Sequence, residues 1–176
     1  MIPRYAIAAC AAAGAIAITG CGGNDATKTA DIPAAPAASA PPPPQASTNL
    51  KDTKSKPVVP KQTGAPPKKL VVKDIVKGKG RAAKKGDKLS MQYVGVLFKG
   101  GTEFDSSWDK GQPFEFTLGK GMVIKGWDQG LVGIKPGGRR ELIIPAKLAY
   151  GAQGQPPSIP GNAALVFIVD ALKVSG

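Results

Sequence analysis

The sequence contains no histidine and only two cysteines, Cys10 and Cys21. Without histidine, Ser–His and Cys–His nucleophilic pairs are not available, and a zinc site built from Cys and His is excluded as well. Aromatic residues are few, with three Tyr, two Trp and five Phe in 176 residues. All of them but Tyr5 lie between Tyr93 and Phe167. The N-terminal apolar run from Tyr5 to Ile18 spans about 14 residues, short of the roughly 20 that an ordinary membrane span takes. Acidic residues are outnumbered, 12 against 24 Lys and Arg, for a net charge of +12. Much of that excess falls between Lys51 and Lys88, which reads as a solvated, extended or edge segment; attraction to anionic surfaces is the second reading. The aromatics are not interleaved with the basic run as a single-strand binder requires, so no nucleic-acid partner is expected.

Three segments follow from composition. Residues 1–20 read as an export signal, with Arg4 as the positive flank of the apolar run. The signal ends in Ile18-Thr19-Gly20-Cys21, which resembles the bacterial lipobox, in which small residues precede a Cys that becomes lipidated. That resemblance implies lipidation of Cys21, loss of Cys10 with the signal, and no thiol left for a disulfide. It also implies a membrane anchor and a location in the cell envelope, facing the periplasm or the cell surface. Gly22 does not carry the Asp signal of inner-membrane retention, so the outer membrane is preferred. Residues 21–68 are rich in Ala, Pro, Ser, Thr and Lys, and Pro41-Pro42-Pro43-Pro44 favours extended polyproline II. Such a stretch cannot bury enough surface to fold and is expected to be a disordered, semi-stiff tether. Residues 69–176 are left as one domain of about 105–110 residues.

Within that domain the apolar pattern alternates. Leu70–Val76 is a plausible first strand. Leu89, Met91, Tyr93 and Leu97 show strand periodicity, and Gly100-Gly101 marks a hairpin-like turn. Glu103–Ser106 resumes extended structure, and Phe114, Phe116 and Leu118 alternate again. Arg139–Ile144 stops at Pro145, and Ala164–Val174 is apolar enough for a central strand. One helix is expected, carried by Val123, Ile124, Trp127 and Leu131 on a single face. Gly126 and Gly130 weaken it by roughly 1 kcal/mol each relative to Ala, so it must lie against the strands around it. Trp127 is then either a buried core residue or the floor of an apolar pocket under a sheet. Strands joined mostly by turns, with one short helix, make an α+β protein whose antiparallel sheet curls around that helix.

The ordered series Met91-Gln92-Tyr93-Val94-Gly95, Phe104-Asp105-Ser106-Ser107, Pro113-Phe114-Glu115-Phe116, Leu118-Gly119-Lys120, Val123-Ile124-Lys125-Gly126-Trp127, Ile143-Ile144-Pro145, Ala149-Tyr150-Gly151, Ile159-Pro160 and Leu165-Val166-Phe167 resembles the FKBP-type peptidyl-prolyl cis-trans isomerases. No one motif decides; their order and spacing over about 105 residues, a usual domain size, carry the resemblance. It implies a five- to six-stranded antiparallel half-barrel wrapped on one short helix, with Trp127 flooring a pocket for a substrate proline. Carried over by residue, the catalytic set is Tyr93, Phe104, Asp105, Trp127, Tyr150 and Phe167, and the substrate-binding set is Phe114, Val123, Ile124 and Ile159. The Ile124 N–H and the Tyr150 hydroxyl would bond substrate carbonyls. No cofactor and no metal are implied. The partners implied are proline-containing polypeptides and macrolides of the FK506 and rapamycin type, met by a monomer. Gln155, Ser158 and Met122 depart from the best-known pattern around the pocket entrance.

The implied chemistry suits a site with no nucleophile. An X–Pro amide rotates over a barrier of about 18–20 kcal/mol because resonance is lost as the bond twists. Binding the twisted amide better than the planar one accelerates exchange without any covalent step. The same pocket would also serve a proline-binding envelope chaperone whose turnover is incidental. A wall-associated structural lipoprotein using the Lys-rich tether is a third reading.

Overall fold

A computed structural model describes residues 46–176; the signal segment, Cys21 and the first part of the tether lie outside the described residues. The strands are β1 (Ala46–Ser47), β2 (Lys56–Pro57), β3 (Val71–Val76), β4 (Lys88–Leu97), β5 (Glu103–Ser106), β6 (Phe114–Thr117), β7 (Arg139–Ile144) and β8 (Leu165–Ser175). The helix α1 spans Lys125–Gly130, and a 3-10 turn covers Ala146–Leu148. β1 and β2 pair in parallel over two residues. The other six form one antiparallel sheet in the order β3-β7-β8-β4-β5. β6 pairs with Lys88–Met91 and β5 with Val94–Val96, so the two share the edge of β4 left free by β8. The expected antiparallel sheet with one short helix is what the structure shows.

Period-two alternation divides the sheet into two faces. Leu89, Met91 and Tyr93 of β4, Leu142 and Ile144 of β7, and Leu165, Phe167 and Val169 of β8 join the helix residues Trp127 and Leu131 in the main core. From Leu165 to Ala171 every residue of β8 is buried, as its place between β7 and β4 requires. α1 is shorter than the apolar stripe suggests, because Ile124 takes an extended conformation (φ −58°, ψ 148°) at its N-cap. Its glycines have a packing role. A Cβ at Gly126 would lie 2.4 Å from Ile144 Cγ2, and one at Gly130 would lie 2.7 Å from Leu142 Cδ2. Bare backbone at both positions lets the helix press directly onto β7.

The opposite face departs from the expectation of a free tether up to residue 68. Val94, Val96, Phe98, Ala164 and Val166 form a second apolar cluster there, with Val59, Trp108 and Ile143 packed against it. Arg139 is fully buried and grips Asp170 with Nε–Oδ1 2.5 Å and Nη2–Oδ2 2.7 Å. Its remaining donors reach the carbonyls of Leu50 (3.2 Å) and Ser55 (3.1 Å). Gln62 Nε2 donates to Glu141 at 3.3 Å, and Pro57 is buried. The stretch 49–62 is therefore a strap across this face. Composition reads it as solvated because much of its anchoring is by the carbonyls of Leu50 and Ser55, and only Pro57 and Val59 add apolar contact.

Candidate functional site

β4, β5, β6, β8 and the N-terminal end of α1 converge on one cavity of about 280 Å³. It is lined by Tyr93, Phe104, Asp105, Lys110, Phe114, Met122, Val123, Ile124, Trp127, Tyr150 and Phe167. Trp127, only 4% exposed, sits at its base. Tyr93 and Phe167 meet its indole edge-on, at centroid distances of 5.2 and 5.3 Å and interplanar angles of 85° and 83°. Phe114 stands 6.1 Å away at 76°, and Phe104 meets Phe167 at 5.5 Å and 87°. Edge-to-face pairs of this kind are worth about 0.5–1.5 kcal/mol each beyond area burial, so the rings brace one another and leave the hollow open. The Trp127 Nε1–H is buried and finds no acceptor among the described residues.

Small residues make this arrangement possible. A Cβ at Gly95 would fall 2.7 Å from both Phe104 Cζ and Phe167 Cε1, so glycine there is what allows the two rings to meet. The turn leading into the helix is tied down by Asp128, whose two carboxylate oxygens accept the N–H groups of Gly119 (2.8 Å) and Gly121 (3.0 Å). That bond pair fixes the approach to Met122, Val123 and Ile124.

The polar groups gather at one side of the rim. Tyr93 donates its hydroxyl to Asp105 Oδ2 at 2.5 Å, and Lys110 Nζ reaches Asp105 Oδ1 at 2.6 Å. Lys110 also lies 6.0 Å from the centre of the Tyr93 ring. Burial alone would raise the Asp105 carboxyl, but the bonds from Lys110 and Tyr93 outweigh it and hold the group below the ordinary carboxylate value. Burial, then the Asp105 charge, pushes the Tyr93 phenol well above its ordinary value, and the same two causes raise Tyr150.

Of the residues singled out in the sequence, Tyr93, Phe104, Asp105, Phe114, Val123, Ile124, Trp127, Tyr150 and Phe167 line this cavity. Ile159 does not. It is 2% exposed and lines an adjoining hollow of about 270 Å³ that shares Phe104, Asp105 and Tyr150 with the main one. The bridge Gln155↔Ile159 closes that loop through reciprocal backbone bonds of 2.8 and 2.9 Å. Cys21 lies outside the described residues. Sequence reasoning missed Lys110 and the spacing role of Gly95. A lysine in a basic chain has no pattern to mark it, whereas a glycine inside an alternating strand signals a close approach.

Comparison with known proteins covers the part of the chain that builds this cavity. The family model described as FKBP-type peptidyl-prolyl cis-trans isomerase matches residues 79–172. An FK506-binding protein of Streptomyces anulatus is 51% identical over 121 residues, covering 68% of this chain and 97% of that protein. The mouse (Mus musculus) peptidyl-prolyl cis-trans isomerase FKBP2 is 58% identical over 92 residues, 52% of this chain and 65% of the relative. An FK506-binding protein of Neisseria meningitidis serogroup A is 49% identical over 105 residues, 60% of this chain and 95% of the relative. Among solved structures, that of FkpA from Escherichia coli superposes with a TM-score of 0.55 at 45% identity, covering 60% of this chain and 48% of the other.

Proposed function

The chain belongs to the FKBP-type peptidyl-prolyl cis-trans isomerase family, and from that premise we propose that it accelerates rotation about X–Pro bonds in exported polypeptides. The observation that carries this reading is the open aromatic cavity with Trp127 at its base and Tyr93, Phe114 and Phe167 around it. At about 280 Å³ the space suits a prolyl ring and its flanking bonds, at the small end of ligand sites. The rings hold the prolyl group by apolar contact. The Ile124 N–H and the Tyr150 hydroxyl bond substrate carbonyls and set the peptide's direction. Phe104 and Ile159 shape the wall facing the residue before proline. The twisted amide has less charge separation than the planar one, so a dry aromatic wall penalises it less. Each 1.36 kcal/mol of that preference is tenfold in rate.

The test is two-dimensional exchange NMR on a short X–Pro peptide mixed with the full chain. Acceleration at micromolar enzyme is expected, and its absence removes the enzymatic reading. The names of the Streptomyces and Neisseria relatives support a further proposal, that an FK506-type macrolide competes for the same cavity. We also propose that the chain is anchored by lipid on Cys21 in the cell envelope, preferring the outer membrane, and acts as a monomer. Cys21→Ser should abolish acyl labelling and release the protein; an unchanged membrane fraction would refute the anchor.

A further inference from the structure

We propose that Lys56, which lies upstream of residues 79–172 matched by the family model, is a positioning residue for the isomerase site. The inference rests on the function proposed above and adds a part of the chain to it. Lys56 belongs to the strap, and its side chain is 14% exposed. Its Nζ lies 2.8 Å from Glu103 Oε1 and 2.9 and 2.7 Å from the two oxygens of Asp109. Glu103 opens β5, two residues before Asp105. Asp109 immediately precedes Lys110, whose Nζ holds Asp105 at 2.6 Å. One ammonium thus clamps both arms of the loop that carries the polar rim of the pocket. The connection runs without a gap from Lys56 to Asp109–Lys110, to Asp105, and through the Tyr93 hydroxyl to the aromatic wall.

Two features set Lys56 apart from an ordinary surface lysine. Its backbone is pinned, since Arg139 bonds the carbonyls of Leu50 and Ser55, and Pro57 beside it is buried. Its side chain is also largely buried, so it is less screened and less free to wander than an exposed lysine. It faces two carboxylates, so its bonds with Asp109 and Glu103 outweigh burial and hold its ammonium above the ordinary lysine value. Removing it leaves Glu103 and Asp109 converging on one point with no cation between them. Their repulsion would swing the Trp108–Gly111 turn outward and draw Lys110 away from Asp105. The aromatic walls that grip the prolyl ring would stay, so the loss should fall on kcat and spare KM.

The experiment compares full-length wild type, Lys56→Met, Lys56→Arg and Asp109→Asn. Two quantities are read: kcat and KM for X–Pro exchange, and the titration midpoint of the Asp105 carboxyl by NMR. Lys56→Met should lower kcat about fivefold to thirtyfold, as misplacement of a positioned group does, with KM within twofold. The Asp105 midpoint should move up toward the ordinary value as Lys110 lets go. Asp109→Asn, a change at an exposed side chain, should give the same pattern more weakly, and it covers the case in which Lys56→Met fails to fold. Lys56→Arg, whose planar fork suits two carboxylates, should restore both readings. The proposal is overturned if the folded Lys56→Met and Asp109→Asn variants keep kcat within twofold and leave the Asp105 midpoint in place, even with a lowered melting temperature; Lys56 would then be a stabilising staple only. If the wild-type chain accelerates nothing, the proposed function fails, and the Asp105 midpoints of the same four proteins still decide whether the clamp exists.

Discussion

Gly126→Ala sets two opposing effects against each other, and the geometry decides between them. In a helix open to solvent, alanine would gain about 1 kcal/mol over glycine. Here the added Cβ would sit 2.4 Å from Ile144 Cγ2, 2.8 Å from Cδ1 and 3.0 Å from Cγ1, where carbon atoms prefer about 3.5–4.0 Å. Ile144 is fully buried in β7, so it cannot turn aside. Overpacking a core costs about 1–3 kcal/mol, and three close contacts on one rigid side chain place this case at about 2–3. The net expectation is a loss of about 1–2 kcal/mol. In urea unfolding followed by Trp fluorescence, the midpoint should fall by about 0.5–1 M at unchanged slope. The displaced helix carries Trp127 with it, so kcat/KM should drop about tenfold as well. Ile144→Ala removes all three clashing atoms at its own cost of about 2–5 kcal/mol. In that background Gly126→Ala should be neutral or stabilising. A single variant as stable as wild type, or a pair additive within about 0.5 kcal/mol, would show that the clash does not govern the helix.

Phe167→Leu keeps most of the volume but loses the edge contacts to Trp127 and Phe104; kcat/KM in peptide exchange should fall about tenfold, with a stability cost under about 1.5 kcal/mol. Arg139→Met strands the buried Asp170 charge and should cost about 3–5 kcal/mol at neutral pH, with new tryptic cuts at Lys51 and Lys54. Burial already pushes the Asp170 carboxyl up despite Arg139, so without the arginine the group should be raised further. A raised folded-state value gives stability at low pH that is lost as pH rises, so the deficit of this variant should shrink on acidification in paired denaturation curves. Asp105 runs the other way. Its lowered carboxyl contributes stability present above the ordinary value of about 3.9 and lost only as pH falls through the folded value, so a pH–rate profile should be flat above about pH 5.

Much of the architecture was legible in the chain. Alternation in Leu89–Leu97 and Phe114–Leu118, the stop at Pro145 and the apolar run from Ala164 located strands that the structure places within a residue or two. The aromatic cavity was legible through the order of its motifs more than through any one residue. What escaped were features whose meaning depends on a distant partner. Gly126 and Gly130 read as penalties until β7 is laid beside them. Lys56 and Lys110 are two among 24 basic residues, and only the folded chain brings them to Asp109 and Asp105. The strap was hidden for a related reason. Part of its order comes from carbonyls that accept from Arg139, and every residue has a carbonyl.

The rim also decides what kind of chemistry the pocket can perform. Tyr93 and Asp105 are 2.5 Å apart, close enough to exchange a proton. A proton-transferring pair works best with its values near the operating pH. Here the two are driven apart, the phenol upward by burial and the neighbouring charge, the carboxyl downward by Lys110 and the phenol itself. At neutral pH both shifts favour a phenol that donates and a carboxylate that accepts. What remains is a fixed field at one edge of an apolar hollow, suited to holding an amide while it turns. Prolyl isomerisation is a reaction with no proton to move and no bond to break, and it is the kind of change that a fixed field and a set of braced rings can accelerate by themselves.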